Sequence, residues 1–175
     1  MLFLTEINAE MREKFWYALY TKPRHEKRVT EELTKSGYTV YLPLIRTLRQ
    51  WSDRKKKVEM PLISSYVFVN VNLKEYYEVL SVCGAVRYVS FEGKAAEIRD
   101  SQITALKKAV EGNMQIEVMQ KCFEKGQKVR IISGVMRGCE GEFVGKRGRS
   151  SFIINLDNVG FVVKVKISAD DVIRI

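Results

Sequence analysis

Along this chain the spacing of apolar positions switches between two periods. From Ser65 to Val71 the order Ser-Tyr-Val-Phe-Val-Asn-Val alternates at every step. That is the period of a strand, whose successive side chains point to opposite faces. Val67, Val69 and Val71 share one face, and Tyr66, Phe68 and Asn70 share the other. β-Branched and aromatic residues suit a pleated, half-buried surface, and Pro61 fits the strand's entry. The Val face reads as core. The opposite face, two large aromatics and an Asn, reads either as a second packed layer or as a docking surface.

The same reading extends in both directions. Residues 15–20, Phe-Trp-Tyr-Ala-Leu-Tyr, are a strand by composition, and Thr21-Lys22-Pro23 turns the chain. Residues 24–36 then take the helical period, with Val29 and Leu33 as a narrow apolar stripe and Gly37 as the stop. A second strand over 38–42 ends at Pro43, and residues 44–60 read as a charged hairpin or an extended loop. Residues 74–83 form a short helix with Tyr76, Val79, Leu80 and Cys83 on its packed face, ended by Gly84. A strand covers 85–91. A last helix runs from Asp100 to residue 111 with Ile103, Leu106 and Val110 on one stripe. After an extension over residues 1–14, the first domain is expected to span 15–112 in the order β-α-β-hairpin-β-α-β-α.

Residues 113–123 carry no clear pattern and read as a linker. From residue 124 the pattern is all-β, with strands over 128–132, 142–146, 152–156 and 161–167 punctuated by glycines. Short strands and tight glycine turns in so few residues predict a small barrel. The fold class is therefore α+β: an antiparallel sheet with helices, joined by a linker to a β-barrel.

Charge changes this picture. Thirty Lys and Arg against 21 Asp and Glu give a formal net charge of +9. Such an excess favours polyanionic partners, nucleic acid first, then acidic protein or membrane surfaces. The excess is local. On the 24–36 helix Arg24, Lys27, Arg28 and Lys35 gather opposite the apolar stripe, with Glu31 among them. Cations at a helix N-terminus oppose its dipole, so an external anion explains them better than helix stability does, the alternative being a solvated face. A second basic run, Gln50-Trp51-Ser52-Asp53-Arg54-Lys55-Lys56-Lys57, sets Trp51 beside Arg54 and three lysines. That composition suits a nucleic-acid backbone with one stacked base, or else a solvated loop with Trp51 folded back on the sheet.

Several chemistries are not encoded. No apolar run reaches the roughly 18 residues of a membrane span, and residues 1–4 are too short for a signal-peptide core, so an intracellular protein without membrane contact is expected. Cys83, Cys122 and Cys139 make no Cys-x-x-Cys pair and no Cys/His cluster, which argues against a disulfide framework or a metal site. His25 is the sole histidine, and no nucleophile has a plausible partner. The glycine-rich 134–141 segment lacks Gly-Lys-Ser/Thr and leads into a strand, so it is no phosphate loop. Neither an enzyme nor a cofactor is expected.

Residues 126–141, Gly-Gln-Lys-Val-Arg-Ile-Ile-Ser-Gly-Val-Met-Arg-Gly-Cys-Glu-Gly, resemble the KOW motif that opens an SH3-like barrel. Trp16-Tyr17-Ala18-Leu19-Tyr20, Glu26-Lys27-Arg28-Val29, Pro61-Leu62 with Ser65–Val69, and Gly84–Val89 resemble the N-terminal (NGN) domain of NusG-type transcription elongation factors. Residues 20–27 and 50–57 further resemble the UpxY-type antiterminators of polysaccharide-biosynthesis operons. One departure is Ile63-Ser64, where the family usually has Phe-Pro. The resemblance implies a factor that docks on the clamp helices of the largest RNA polymerase subunit, contacts non-template DNA and suppresses pausing and termination. Tyr20, Ile63, Tyr66 and Phe68 would face polymerase. Lys22, Arg24, His25, Lys27, Arg28, Arg87, Trp51 and Arg54 would face nucleic acid. The KOW domain would contact a ribosomal protein or the termination factor Rho, and the protein would be a cytoplasmic monomer. The rival reading is a ribosome- or RNA-binding KOW protein that never meets polymerase.

Overall fold

The computed structural model describes residues 13–50, 55–91, 93–120, 126–146, 149–156 and 159–175. The chain divides into two compact units, Met1–Arg99 and Asp100–Ile175.

In the first unit, β1 (Phe15–Thr21), β2 (Thr39–Tyr41), β5 (Tyr66–Val71) and β6 (Ala85–Tyr88) form an antiparallel sheet in the order β2-β5-β1-β6. The short strand β9 (Glu97–Ile98) also pairs with β1. Helices α1 (Glu26–Lys35) and α2 (Leu73–Val79) connect the strands. Alternation sorts the side chains as expected: Leu19, Val67, Val69 and Val71 join Val29 and Leu33 of α1 and Val79 of α2 in one wholly buried cluster. Helix α2 starts at a reciprocal cap. Asn72 Oδ1 accepts from the Lys74 and Glu75 N–H groups, and Glu75 Oε2 accepts from the Asn72 N–H at 3.1 Å. The helix stops before Cys83, which is exposed instead of packed.

The charged 44–60 stretch is a hairpin. Strands β3 (Leu44–Gln50) and β4 (Lys55–Pro61) pair from Leu44↔Pro61 to Gln50↔Lys55. Beyond β6, the strands β7 (Ser90–Phe91) and β8 (Lys94–Ala95) make a second, very short hairpin.

The second unit begins with α3 (Asp100–Glu111) and continues into a six-stranded antiparallel sheet. Its strands are β10 (Ile116–Gln120), β11 (Gln127–Ile131), β12 (Glu140–Lys146), β13 (Arg149–Leu156), β14 (Phe161–Lys166) and β15 (Val172–Arg174), in the order β10-β14-β13-β12-β11-β15. Phe152, Ile153 and Ile154 are buried in succession, so both faces of β13 are covered, one of them by α3. Gln102 of α3 donates to the Asn155 carbonyl. Gly141 is dictated by a close approach: a Cβ there would stand 2.6 Å from the Phe152 ring.

The α+β class holds, but the segmentation differs from the sequence reading in two places. Strand β10 lies inside the stretch read as a linker, pairing Ile116 with Val165 and Val118 with Val163. Helix α3 belongs with the second unit. Ile116 and Val118 alternate with Glu117 over only two steps at a partly exposed strand, too few for periodicity to register.

Candidate functional site

The chemistry-bearing residues of the first unit collect where β1 ends. The strand register shifts between Tyr20 and Thr21, a bulge of the kind that re-aims side chains at sheet edges. Three loops close on this point. The Thr21 N–H donates to the Ser65 carbonyl at 2.8 Å, the Lys22 N–H to the Gly84 carbonyl at 2.9 Å, and the His25 N–H to the Lys22 carbonyl at 3.1 Å.

On the sheet face opposite the valines, Tyr20 pairs with Tyr66 across the strands, their ring centroids 5.5 Å apart and near perpendicular. Edge-to-face contact suits the ring quadrupoles. The Arg87 guanidinium lies 5.8 Å from the Tyr20 ring centroid, within cation–π range. Burial pushes the Tyr66 phenol above its ordinary pKa, with the neighbouring Tyr20 adding to the shift and Arg87 opposing it. Both tyrosines are half-buried and Arg87 is exposed. The pair therefore presents two phenol edges beside a cation.

Phe68 and Ile63 do not belong to this exposed set, which corrects the expectation that both face a partner. Phe68 is fully buried and stacks on Tyr41 at 6.3 Å, and Ile63 is 3% exposed. Trp16, Ala18 and Ile98 on the same face are buried as well. The face is therefore mostly a packed layer, and only its end by Tyr20 and Tyr66 is open.

The basic residues divide similarly. Lys22, Arg24 and Lys27 are exposed. Arg24 lies outside the helix, against expectation. It adopts φ +66° in the turn before α1, a conformation that costs a non-glycine residue energy. Arg28 is on the helix but pairs with Glu32 one turn on, Nε to Oε1 at 3.0 Å, so it is partly neutralised. His25 is the helix N-cap but makes no side-chain cap bond; its Nδ1 is 3.1 Å from the Pro23 carbonyl. It also packs on Gly84, where φ is +104° and a Cβ would come within 3.0 Å of the imidazole. Trp51 and Arg54 lie outside the described residues. The strands leading to them place Arg49 opposite Lys56 and Arg46 opposite Glu59.

Sequence reasoning missed what holds these groups together. Glu26, in the first turn of α1, is 6% exposed, and its Oε1 accepts the Ser65 N–H at 2.7 Å. Ser65 itself sits at φ +66° immediately before Tyr66. A single Glu among charged helix residues looks like surface; its burial follows from the fold of a loop 39 residues away. Among the described residues no cluster of His, Cys, Asp and Glu could hold a metal ion, and no helix is long and apolar enough to cross a membrane.

Comparison with known proteins bears on this region directly. The family described as "Transcription termination factor nusG" matches residues 14–107, which include β1, α1, β5, β6 and the whole junction just described. The chain belongs to the NusG family. Two proteins named transcription termination/antitermination protein NusG are 22% identical to this chain over 138 residues. They come from Rickettsia conorii and Rickettsia felis, and in both cases the alignment covers 73% of this chain and 72% of the relative. A solved structure concerned with domain interaction in Thermotoga maritima NusG aligns over 93% of this chain and 98% of its own at 22% identity, with a TM-score of 0.48. NusG-family proteins are transcription factors and not enzymes.

Proposed function

We propose that this NusG-family protein is an antitermination and elongation factor that docks on RNA polymerase through the open end of its aromatic face. Tyr20 and Tyr66 would seat on the clamp helices of the largest subunit. Phe68 and Ile63 would support them from beneath. Lys22, Arg24, Lys27 and Arg87, beside the pair, would meet the displaced non-template strand, with His25 and Arg28 at the edge of that contact. Trp51 and Arg54 would add a stacking and phosphate contact. The observation that carries this reading is the Tyr20–Tyr66 pair beside exposed cations, within the part of the chain that matches the family. Half-exposed aromatics flanked by Arg are the usual anchors of protein interfaces. Lys and Arg contacts to phosphate supply salt-dependent affinity for a nucleic-acid strand.

The resemblance of residues 20–27 and 50–57 to UpxY-type antiterminators supports a role in polysaccharide-biosynthesis operons. The second unit, with its KOW-like turn, would recruit a ribosomal protein or Rho, and the protein would act as a monomer in the cytoplasm. The test is in vitro transcription with purified polymerase across a candidate leader. Shortened pauses and increased read-through on that leader are expected. A protein that leaves pausing unchanged and co-purifies with ribosomal subunits would replace this reading with that of a ribosome-binding KOW protein.

A further inference from the structure

We infer that Glu26 is a positioning residue: its buried carboxylate holds Ser65 in a left-handed conformation and thereby sets Tyr66 against Tyr20 and joins the docking pair to the basic turn. The inference rests on the docking role proposed for that pair.

Three observations carry it. First, burying a carboxylate is costly unless it is hydrogen-bonded. Glu26 meets this condition through the Ser65 N–H at 2.7 Å, a charge-assisted bond, and through its place in the first turn of α1, where the helix dipole favours an anion. Second, Ser65 needs holding. It is not glycine, it sits at φ +66°, and it directly precedes the strand that carries Tyr66. Both of its backbone polar groups are engaged by the two elements that flank the basic turn: its carbonyl by the Thr21 N–H of β1, its N–H by Glu26 of α1. Third, the turn between those elements, Lys22 to His25, carries two of the exposed cations, Lys22 and Arg24, and Arg24 is itself strained. One carboxylate thus ties the start of α1, the end of β1 and the start of β5. Releasing it would leave the valine core intact but free the Tyr66 ring from its register with Tyr20.

The role can be separated from charge and from general stability by three variants of the full-length protein. Glu26→Gln keeps a carbonyl oxygen in place and removes the charge. Glu26→Asp keeps the charge at the helix N-terminus but is one methylene too short to reach Ser65. Val79→Ala opens the same core away from the junction and serves as a stability control. Amide exchange at Ser65 and affinity for purified RNA polymerase are read together, at a temperature where every variant is folded. Glu26→Gln should stay within about threefold of wild type in both. Glu26→Asp should speed Ser65 exchange and weaken polymerase binding, each by about tenfold. Val79→Ala should lower the melting temperature without moving either readout comparably. Loss in Glu26→Gln with retention in Glu26→Asp would overturn the proposal in favour of a purely electrostatic role, and equal loss in Val79→Ala would overturn it in favour of plain stability. A wild-type chain that does not bind polymerase would overturn the docking reading and the positioning role with it, and protection of Ser65 lost only in Glu26→Asp would then mark the bond as a structural clamp alone.

Discussion

The two faces of the first sheet come from the same strands and are built to different ends. One face is sealed at its centre. Leu19, Val67, Val69 and Val71 meet Val29, Leu33 and Val79, all without measurable exposure. The other face is graded along its length: Trp16, Ala18, Phe68 and Ile98 are buried, whereas Tyr20 and Tyr66 stand half-open beside Arg87. Alternation decides which face a residue is on. Position along the strand decides whether that face is packed or presented. The open end is the unsealed end of a second core, and it borrows its rigidity from the sealed part.

The largest effect that tests this contrast is at Phe68. Truncating a fully buried phenylalanine typically costs about 3–5 kcal/mol. Phe68→Ala should therefore show a large drop in the denaturation midpoint of the first unit, with any loss of binding following from unfolding. Near-normal stability would place Phe68 with the open tyrosines and erase the gradient. The next effect is at Tyr66, two residues earlier on the same face. Tyr66→Ala should leave the melting curve little changed and cost about 2 kcal/mol or more of polymerase affinity, as interface aromatics do.

That two neighbouring aromatics should behave so differently marks the limit of what the chain alone discloses. The strand, its register partner and its faces are legible, because period-two alternation is local. Burial of Phe68 is not, because it depends on Tyr41, which arrives from another strand. The basic patch was legible as composition. Its partition into exposed Lys22, Arg24 and Lys27 and a paired Arg28 depends on a left-handed turn and on Glu32. Glu26 was illegible as a buried group, since its partner is a backbone N–H that carries no side-chain signal. The KOW-like turn was legible from its glycines, whereas β10 was not, because it is a short, partly exposed strand with little contrast between its faces.

On the sealed side the expected effects are smaller. Asn72→Ala removes the acceptor for two N–H groups of α2 and should cost about 1 kcal/mol of stability, read as a shift in the thermal midpoint. Polymerase affinity should be unchanged at temperatures below the transition, since α2 covers the valine face. The smallest effect is confined to alkaline solution. Burial, with help from Glu97 and Tyr76, pushes the Tyr17 phenol up to about 12 from 10.0. Tyr88, stacked on Tyr76 at 4.0 Å, is raised further, chiefly by burial. A folded-state pKa above the unfolded value means that the unfolded chain loses its proton first. Stability from these phenols is whole below about pH 10 and declines as pH rises toward 12. Ultraviolet titration of phenolate should show these two rings ionising late, together with loss of the fold. Ionisation near pH 10 in the intact protein would mean that this face is less sealed than described.

The central claim, that the open end of the aromatic face is the docking surface, is tested most directly by the affinity of Tyr20→Ala for purified RNA polymerase, measured on protein shown to be folded. Tyr20 is the residue on which Tyr66 and Arg87 converge, and its loss should weaken binding by at least about tenfold, the equivalent of 1.4 kcal/mol. Binding within error of wild type by a folded Tyr20→Ala protein would contradict the account.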